Sequence, residues 1–157
     1  MAEMPAVGAK APDFHLDRDG GGKSRLKDFA GRKLALYFYP KDDTSGCTQE
    51  AIEFNALRAA FDKAGVAVVG VSPDSAKKHD KFKAKHDLAL TLLADEDKAM
   101  LEAYGVWKEK SMYGRKYMGV ERTTFLIDEK GIVREIWPKV KVPGHAKAVL
   151  ERAQAKG

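Results

Sequence analysis

The pattern of apolar and polar positions divides the chain into short elements of alternating kind. Lys33 to Tyr39 (KLALYFY) is almost wholly apolar, rich in aromatic residues and closed by Pro40. A run so short and so apolar predicts a buried strand. From Gly46 to Ala64 the apolar residues Ala51, Phe54, Leu57, Ala60 and Phe61 recur at helical spacing, and Gly65 is placed to end that helix. Val66 to Val71 (VAVVGV) is continuously apolar, as a central strand covered on both faces requires. Ser72-Pro73-Asp74 marks a turn and a helix start, and Ser75 to His86 reads as a lysine-rich surface helix. Thr91 to Leu93 suits a short strand, and Asp95 to Tyr104 a helix stopped at Gly105. Thr123 to Asp128 (TTFLID) is a strand that turns through Glu129-Lys130-Gly131 into its partner, Ile132 to Trp137. Pro143 and Gly144 precede a last helix, Ala146 to Ala155.

The ends of this pattern are weaker. The residues up to Lys10 read as a loose lead-in, followed by short strands around the glycine turn Gly20 to Gly22. Lys108 to Lys116, charged and carrying Gly114, reads as a mobile loop. The resulting order is β-α-β-α-β-α-β-β-α. Strands alternating with helices predict a parallel core sheet with helices on both faces. The late hairpin makes the sheet mixed. This is an α/β chain of thioredoxin-like architecture, expected to form one domain over residues 1–157, although the order alone also admits other small α/β folds.

Composition narrows the function. Of 157 residues, 44% are hydrophobic, enough for a real core, and 28 basic against 23 acidic residues leave a net charge of only +5. That excess falls short of a nucleic-acid arm, and no aromatic residues interleave the basic clusters. No apolar run approaches the ~20 residues of a membrane helix. The N-terminus lacks a basic start followed by an apolar stretch, so no signal peptide is expected and the protein reads as cytoplasmic. A single cysteine, Cys47, excludes an internal disulfide, a cysteine-rich zinc site and a Cys-x-x-Cys pair.

The chemistry therefore concentrates in Tyr39 to Ala51, YPKDDTSGCTQEA. Cys47 falls at the start of the long helix, where unpaired backbone N–H groups and the helix dipole stabilise a thiolate. Turning a cysteine largely into thiolate near neutral pH takes about 2.7 kcal/mol of differential stabilisation. A helix start supplies about 0.3–1 kcal/mol when exposed and up to about 2 when partly buried. A guanidinium can supply the remainder, and Arg122, at the entrance to TTFLID, is the candidate. Pro40 ends the strand rigidly, and the Thr44 hydroxyl can donate to one group while accepting from another. The plainer alternatives are that Cys47 is a small buried hydrophobe, Thr44 a helix cap, Asp42-Asp43 dipole partners and Arg122 a surface residue.

These residues resemble the active-site segment of the peroxiredoxins, P-x-x-x-T/S-x-x-C, with Pro40, Thr44 and Cys47 at the matching positions. VGAKAPDFHL, VVGVSPDS and YGRKYMGVERTTFLIDEKG resemble, in order, the bacterioferritin-comigratory or peroxiredoxin Q branch, and the likeness runs from Val7 to about Ala155. The resemblance implies a thiol peroxidase that reduces hydrogen peroxide and organic hydroperoxides. Cys47 would be the peroxidatic cysteine, Thr44 would hydrogen-bond peroxide and thiolate, and Pro40 would shield the sulfur from water. Arg122 would stabilise the thiolate and orient the peroxide, and Glu50 would position an arginine. Thioredoxin, glutaredoxin or a low-molecular-weight thiol would be the reductant, with no cofactor and no metal, in a monomer or weak homodimer. The chain departs from the family in having Ser45 before Gly46 in place of a proline. It also has no resolving cysteine at either usual position, where Ile52 and Lys83 stand. The rival function is a non-enzymatic thioredoxin-fold binding or holdase protein.

Other signals are weak. Gly22-Lys23-Ser24 echoes a phosphate loop, but the required first glycine is Asp17 and no long helix follows. His15, His79, His86 and His145 are scattered, and His79 and His86, seven apart on one helix, are expected on a solvated lysine-rich face. Phe54, Phe61, Trp107 and Trp137 read as core or site-wall residues, with Trp107 also suited to an oligomer contact.

Overall fold

A computed structural model describes residues 3–155; the outermost residues of the expected domain lie outside this range. Nine strands and five α-helices follow in order: β1 (His15–Arg18), β2 (Lys23–Arg25), β3 (Lys33–Phe38), α1 (Ser45–Ala56), α2 (Arg58–Lys63), β4 (Val66–Ser72), α3 (Ala76–His86), β5 (Thr91–Ala94), α4 (Ala99–Ala103), β6 (Trp107–Met112), β7 (Arg115–Val120), β8 (Thr123–Ile127), β9 (Val133–Trp137) and α5 (His145–Gln154). Seven strands form one mixed sheet in the order β2-β1-β5-β4-β3-β8-β9. β3, β4 and β5 are parallel, joined through helices, while β8 returns antiparallel to β3 and β9 to β8. This is the expected thioredoxin-like architecture.

Period-two alternation in β3 builds two cores. Leu34, Leu36 and Phe38 face one side with Val69, Val71, Phe125, Leu101 of α4 and Tyr104, which follows that helix. Ala35, Tyr37 and Tyr39 face the other, against Phe54 and Phe61 of α1 and α2, Phe82 of α3 and Val149 of α5. Helices thus cover both faces. At the end of β3 the chain leaves the sheet beneath the first turn of α1, which fixes the location of the site.

Three expectations are corrected. The single helix expected over Gly46 to Ala64 is interrupted at Leu57, which separates α1 from α2. Lys108 to Lys116 is no mobile loop but lies in a hairpin, β6–β7, a second two-stranded sheet. Its tip, Tyr113-Gly114, has positive φ at both residues (52° and 77°), the backbone that a two-residue hairpin turn of type I′ needs. Trp107 and Val120 anchor its base in the core while its outer residues, Met112, Tyr113, Tyr117 and Met118 among lysines, stay exposed, so the charge and Gly114 alone read as a loop. The lead-in is also fastened. Gly8 N–H donates to Val133 O (2.8 Å) and Ala11 N–H to Gly131 O (2.9 Å), so the segment runs along β9.

Candidate active site

The site is assembled from the residues that follow β3. Pro40 is half-buried at the strand end, and the loop to Thr44 leads into α1. Thr44 is the N-cap residue in extended conformation, but its side chain does not cap the helix. Its hydroxyl instead donates to Lys41 O at 2.8 Å, which leaves the oxygen's lone pairs free to accept. Cys47 lies in the first turn of α1 and is 1% exposed.

Arg122 arrives from the opposite side, in the short link between β7 and β8. Its Nη2 donates to Cys47 Sγ at 3.4 Å and its Nη1 to Glu50 Oε1 at 2.7 Å. Glu50 lies one turn after Cys47 on the same face of α1 and is 1% exposed. One rigid guanidinium therefore spans sulfur and carboxylate. Gly46 makes the approach feasible: a Cβ there would stand 3.2 Å from Arg122 Nη2. The missing side chain is the space the guanidinium uses. Burial pushes the Glu50 carboxyl up to about 7, and Arg122 only partly counteracts it. Its Oε2 is buried without a hydrogen-bond partner, which is a costly place for half of an ionised carboxylate.

Aromatic rings floor the site. Tyr37 stacks on Phe54 (centroids 4.6 Å apart) and on Tyr39 (5.5 Å), and its hydroxyl is buried without a partner. Gly70 on β4 accommodates that ring, since a Cβ would stand 2.7 Å from Tyr37 Cζ. On the α5 side, Thr124 Oγ1 and His145 Nε2 are 2.7 Å apart. Burial drives the His145 imidazole down to about 4, so the ring is neutral at physiological pH and adds no charge.

The structure thus brings Cys47, Glu50 and Arg122 into direct contact. Thr44 and Pro40 it places on the entry to the same helix, with no hydrogen bond from Thr44 to the sulfur. Sequence reasoning missed Gly46, Tyr37 and His145. The glycine beside the cysteine was a readable signal, because a helix start rarely needs one unless something comes close. It also misplaced His79, which is fully buried, hydrogen-bonded to Asp42 and Leu93 O and not solvated. Among the described residues there is no cluster of three or more His, Cys, Asp or Glu that could hold a metal ion.

A helix-start cysteine answered by an arginine, on a thioredoxin-like sheet, defines a class of thiol enzymes. The chain belongs to the AhpC/TSA family, whose model matches residues 7–136. Within it, the likeness is to the peroxiredoxins called Bcp or peroxiredoxin Q. A putative peroxiredoxin bcp from Coxiella burnetii is 53% identical, covering 93% of this chain and 97% of that one. The peroxiredoxin Bcp of Bacillus subtilis is 47% identical over 92% of each chain. Among solved structures, the Xanthomonas campestris bacterioferritin comigratory protein, described in work on its alkyl peroxide reduction, superposes with a TM-score of 0.86. It is 49% identical, with 90% of both chains covered.

Proposed function

We propose that Cys47 is the peroxidatic residue of this chain, a thiol-dependent peroxidase acting on hydroperoxides. The observation that carries the assignment is the Arg122 guanidinium held between Cys47 Sγ and Glu50 Oε1. A permanent cation beside the sulfur meets the charge that moves to the leaving oxygen. The thiolate attacks the nearer peroxide oxygen in line, the O–O bond breaks, and the departing alkoxide takes up a proton to leave as alcohol. Cys47 becomes a sulfenic acid.

Thr44, its proton already given to Lys41 O, accepts a hydrogen bond from the peroxide O–H and so orients it. Pro40 walls the sulfur from water, and Glu50 holds Arg122. Because no second cysteine exists, an external thiol condenses with the sulfenic acid and releases water. A second thiol then reduces the mixed disulfide to regenerate Cys47. Thioredoxin, glutaredoxin or a small thiol fills that role, which suits a reducing compartment such as the cytoplasm and a protein working as a monomer or weak homodimer. No helix among the described residues is long and apolar enough to cross a membrane. A holdase role is not favoured, because the similar curated proteins are named as peroxiredoxins.

The test is peroxide turnover with thioredoxin, glutathione with glutaredoxin, and dithiothreitol side by side, with Cys47→Ser as control. Catalytic loss of peroxide by the wild type but not by Cys47→Ser is the expected result. Equal loss with both would overturn the assignment.

A further inference from the structure

The loop that delivers Cys47 carries two consecutive aspartates, and both are held by one helix. The Asp42 carboxylate is buried. Its Oδ1 accepts from Tyr39 O–H at 2.6 Å, and its Oδ2 lies 2.6 Å from His79 Nδ1 on α3. The other His79 nitrogen, Nε2, lies 2.8 Å from Leu93 O on β5. A carbonyl oxygen can only accept, so Nε2 carries a proton. Nδ1 faces a carboxylate that already accepts from Tyr39, so a second proton lies on that contact too. His79 is 0% exposed, and the pair is therefore a buried, proton-bearing link. The loop backbone is fastened as well: Asp42 N–H donates to Asp74 Oδ2 at 2.8 Å, and Asp74 also accepts from Ser72 O–H at 2.7 Å.

The next residue repeats the device at the surface. Asp43 adopts a left-handed backbone (φ 62°), an uncommon state for a residue with a side chain. Its carboxylate accepts from Lys85 Nζ (2.7 Å) and lies 2.9 Å from His86 Nε2, both in the last turn of α3. Thr44, the cap of the catalytic helix, follows immediately. His79 and His86 do share one face of α3, as their spacing implies, and that face grips the loop.

We propose that His79 and Asp42 are positioning residues for the peroxidase reaction: their buried pairing ties α3 to the Pro40–Thr44 loop and so sets where Cys47 stands beneath Arg122. The inference rests on Cys47 being the reactive residue. Neither His79 nor Asp42 touches the sulfur; they act through the loop. The link is proton-dependent. Burial pulls His79 down, but the hydrogen bond and charge of Asp42, the Leu93 carbonyl and the charge of Asp74 outweigh it and hold the ring's pKa above its ordinary value. The groups facing His79 are thus Tyr39 and Asp42 from the segment after β3, Asp74 from the turn after β4, and Leu93 O from β5. Lys78 lies behind Asp74 at 3.9 Å. With a raised histidine pKa, the link is intact at low pH and is lost as pH rises through the folded value. Above it, a bare Nδ1 faces the Asp42 carboxylate and the loop is released.

The test compares wild type and His79→Gln in the second-order rate of Cys47 oxidation by hydrogen peroxide from pH 6 to 9. Far-ultraviolet and near-ultraviolet dichroism verify folding. Each rate is divided by that protein's own thiolate fraction, followed by ultraviolet absorbance over the same pH range, so that only positioning is compared. A loop displaced by a fraction of an ångström is expected to slow the variant about tenfold at pH 6. The ratio should close toward one as the wild type loses its own link at high pH. Reduction of the sulfenic acid by dithiothreitol, which needs only an accessible sulfur, should not slow. A ratio of one throughout, or a ratio independent of pH, would overturn the proposal. Should His79→Gln fail to fold, Asp42→Asn decides by the same ratio: it should be slower than wild type at pH 6 and approach it at pH 9, and equality throughout overturns the proposal. Turnover by Cys47→Ser would instead sink the assignment of Cys47 and is read separately.

Discussion

Replacing Glu50 by glutamine should remove a pH dependence of stability that the site itself creates. Glu50 is 1% exposed, and burial raises its carboxyl from an ordinary 4.5 to about 7. Between those values the folded protein holds a proton that the unfolded chain has released. Stability therefore falls as pH rises across that window. The gap corresponds to roughly 3 kcal/mol, present in full below pH 4.5 and lost above 7. That is a large share of a net stability of about 5–15 kcal/mol. Glutamine keeps an oxygen able to accept from Arg122 Nη1 but cannot titrate. Other groups, His79 and Asp95 among them, also titrate, so the informative quantity is the stability of Glu50→Gln minus that of the wild type. Urea unfolding of the reduced proteins, followed by dichroism at pH 4.5, 6 and 8, supplies it. The difference should climb by about 3 kcal/mol in favour of the variant over that range. A difference that stays constant with pH would refute the reasoning, because Glu50 would then titrate alike in folded and unfolded chains.

Arg122→Met should slow Cys47 oxidation by about 10²–10³-fold, the usual loss for one preorganised donor to developing charge, and stopped-flow mixing with peroxide would measure it. A rate within threefold of wild type would exclude Arg122 from the chemistry. Thr44→Val should slow the same step by roughly 2–4 kcal/mol while Thr44→Ser stays near wild type, because only the hydroxyl oxygen is used; equal rates would reduce Thr44 to a turn residue. With one cysteine in the chain, high peroxide and scarce thiol should inactivate the enzyme, with a mass gain of two oxygens on Cys47 in intact mass spectrometry. Quantitative conversion to a Cys47–Cys47 dimer, without sulfinic product, would contradict reduction by an external thiol.

The fold was legible where hydrophobic period and length agree. Lys33–Phe38 and Val66–Ser72 are short apolar runs that only a covered strand accommodates, and both stand in the middle of the sheet. The β6–β7 hairpin was not legible, because its apolar residues are scattered among lysines without a covered face and its turn is Tyr113-Gly114, which lacks the asparagine or aspartate that usually announces type I′. The break at Leu57 was equally silent: the apolar spacing runs on through it, so period alone predicts one helix.

The site divides along the same line. Pro40, Thr44 and Cys47 lie within eight residues around one helix start, and local spacing is enough to nominate them, whereas Glu50 entered only through the family resemblance. Arg122 lies 75 positions from Cys47; the need for a guanidinium and its place at a strand entrance nominate it, but nothing local distinguishes it from a surface arginine, and only the family resemblance gave it a role at the sulfur. The supporting shell has no such pattern. Asp42 and Asp43 satisfy an ordinary expectation for a helix approach, and the lysine-rich α3 satisfies one for a solvated helix. Only β4, by carrying the chain across the sheet and back, sets α3 beside the loop and turns those charges into partners. Lys83 illustrates the outcome. This residue reaches Asp19 at 2.6 Å, and Asp19 in turn accepts from Leu92 N–H at 2.8 Å. The helix is thereby bound, through the residue that follows β1, to β5 at one point and to the catalytic loop at others. Through His79, Lys85 and His86 the same helix holds both aspartates of the loop that leads to Cys47.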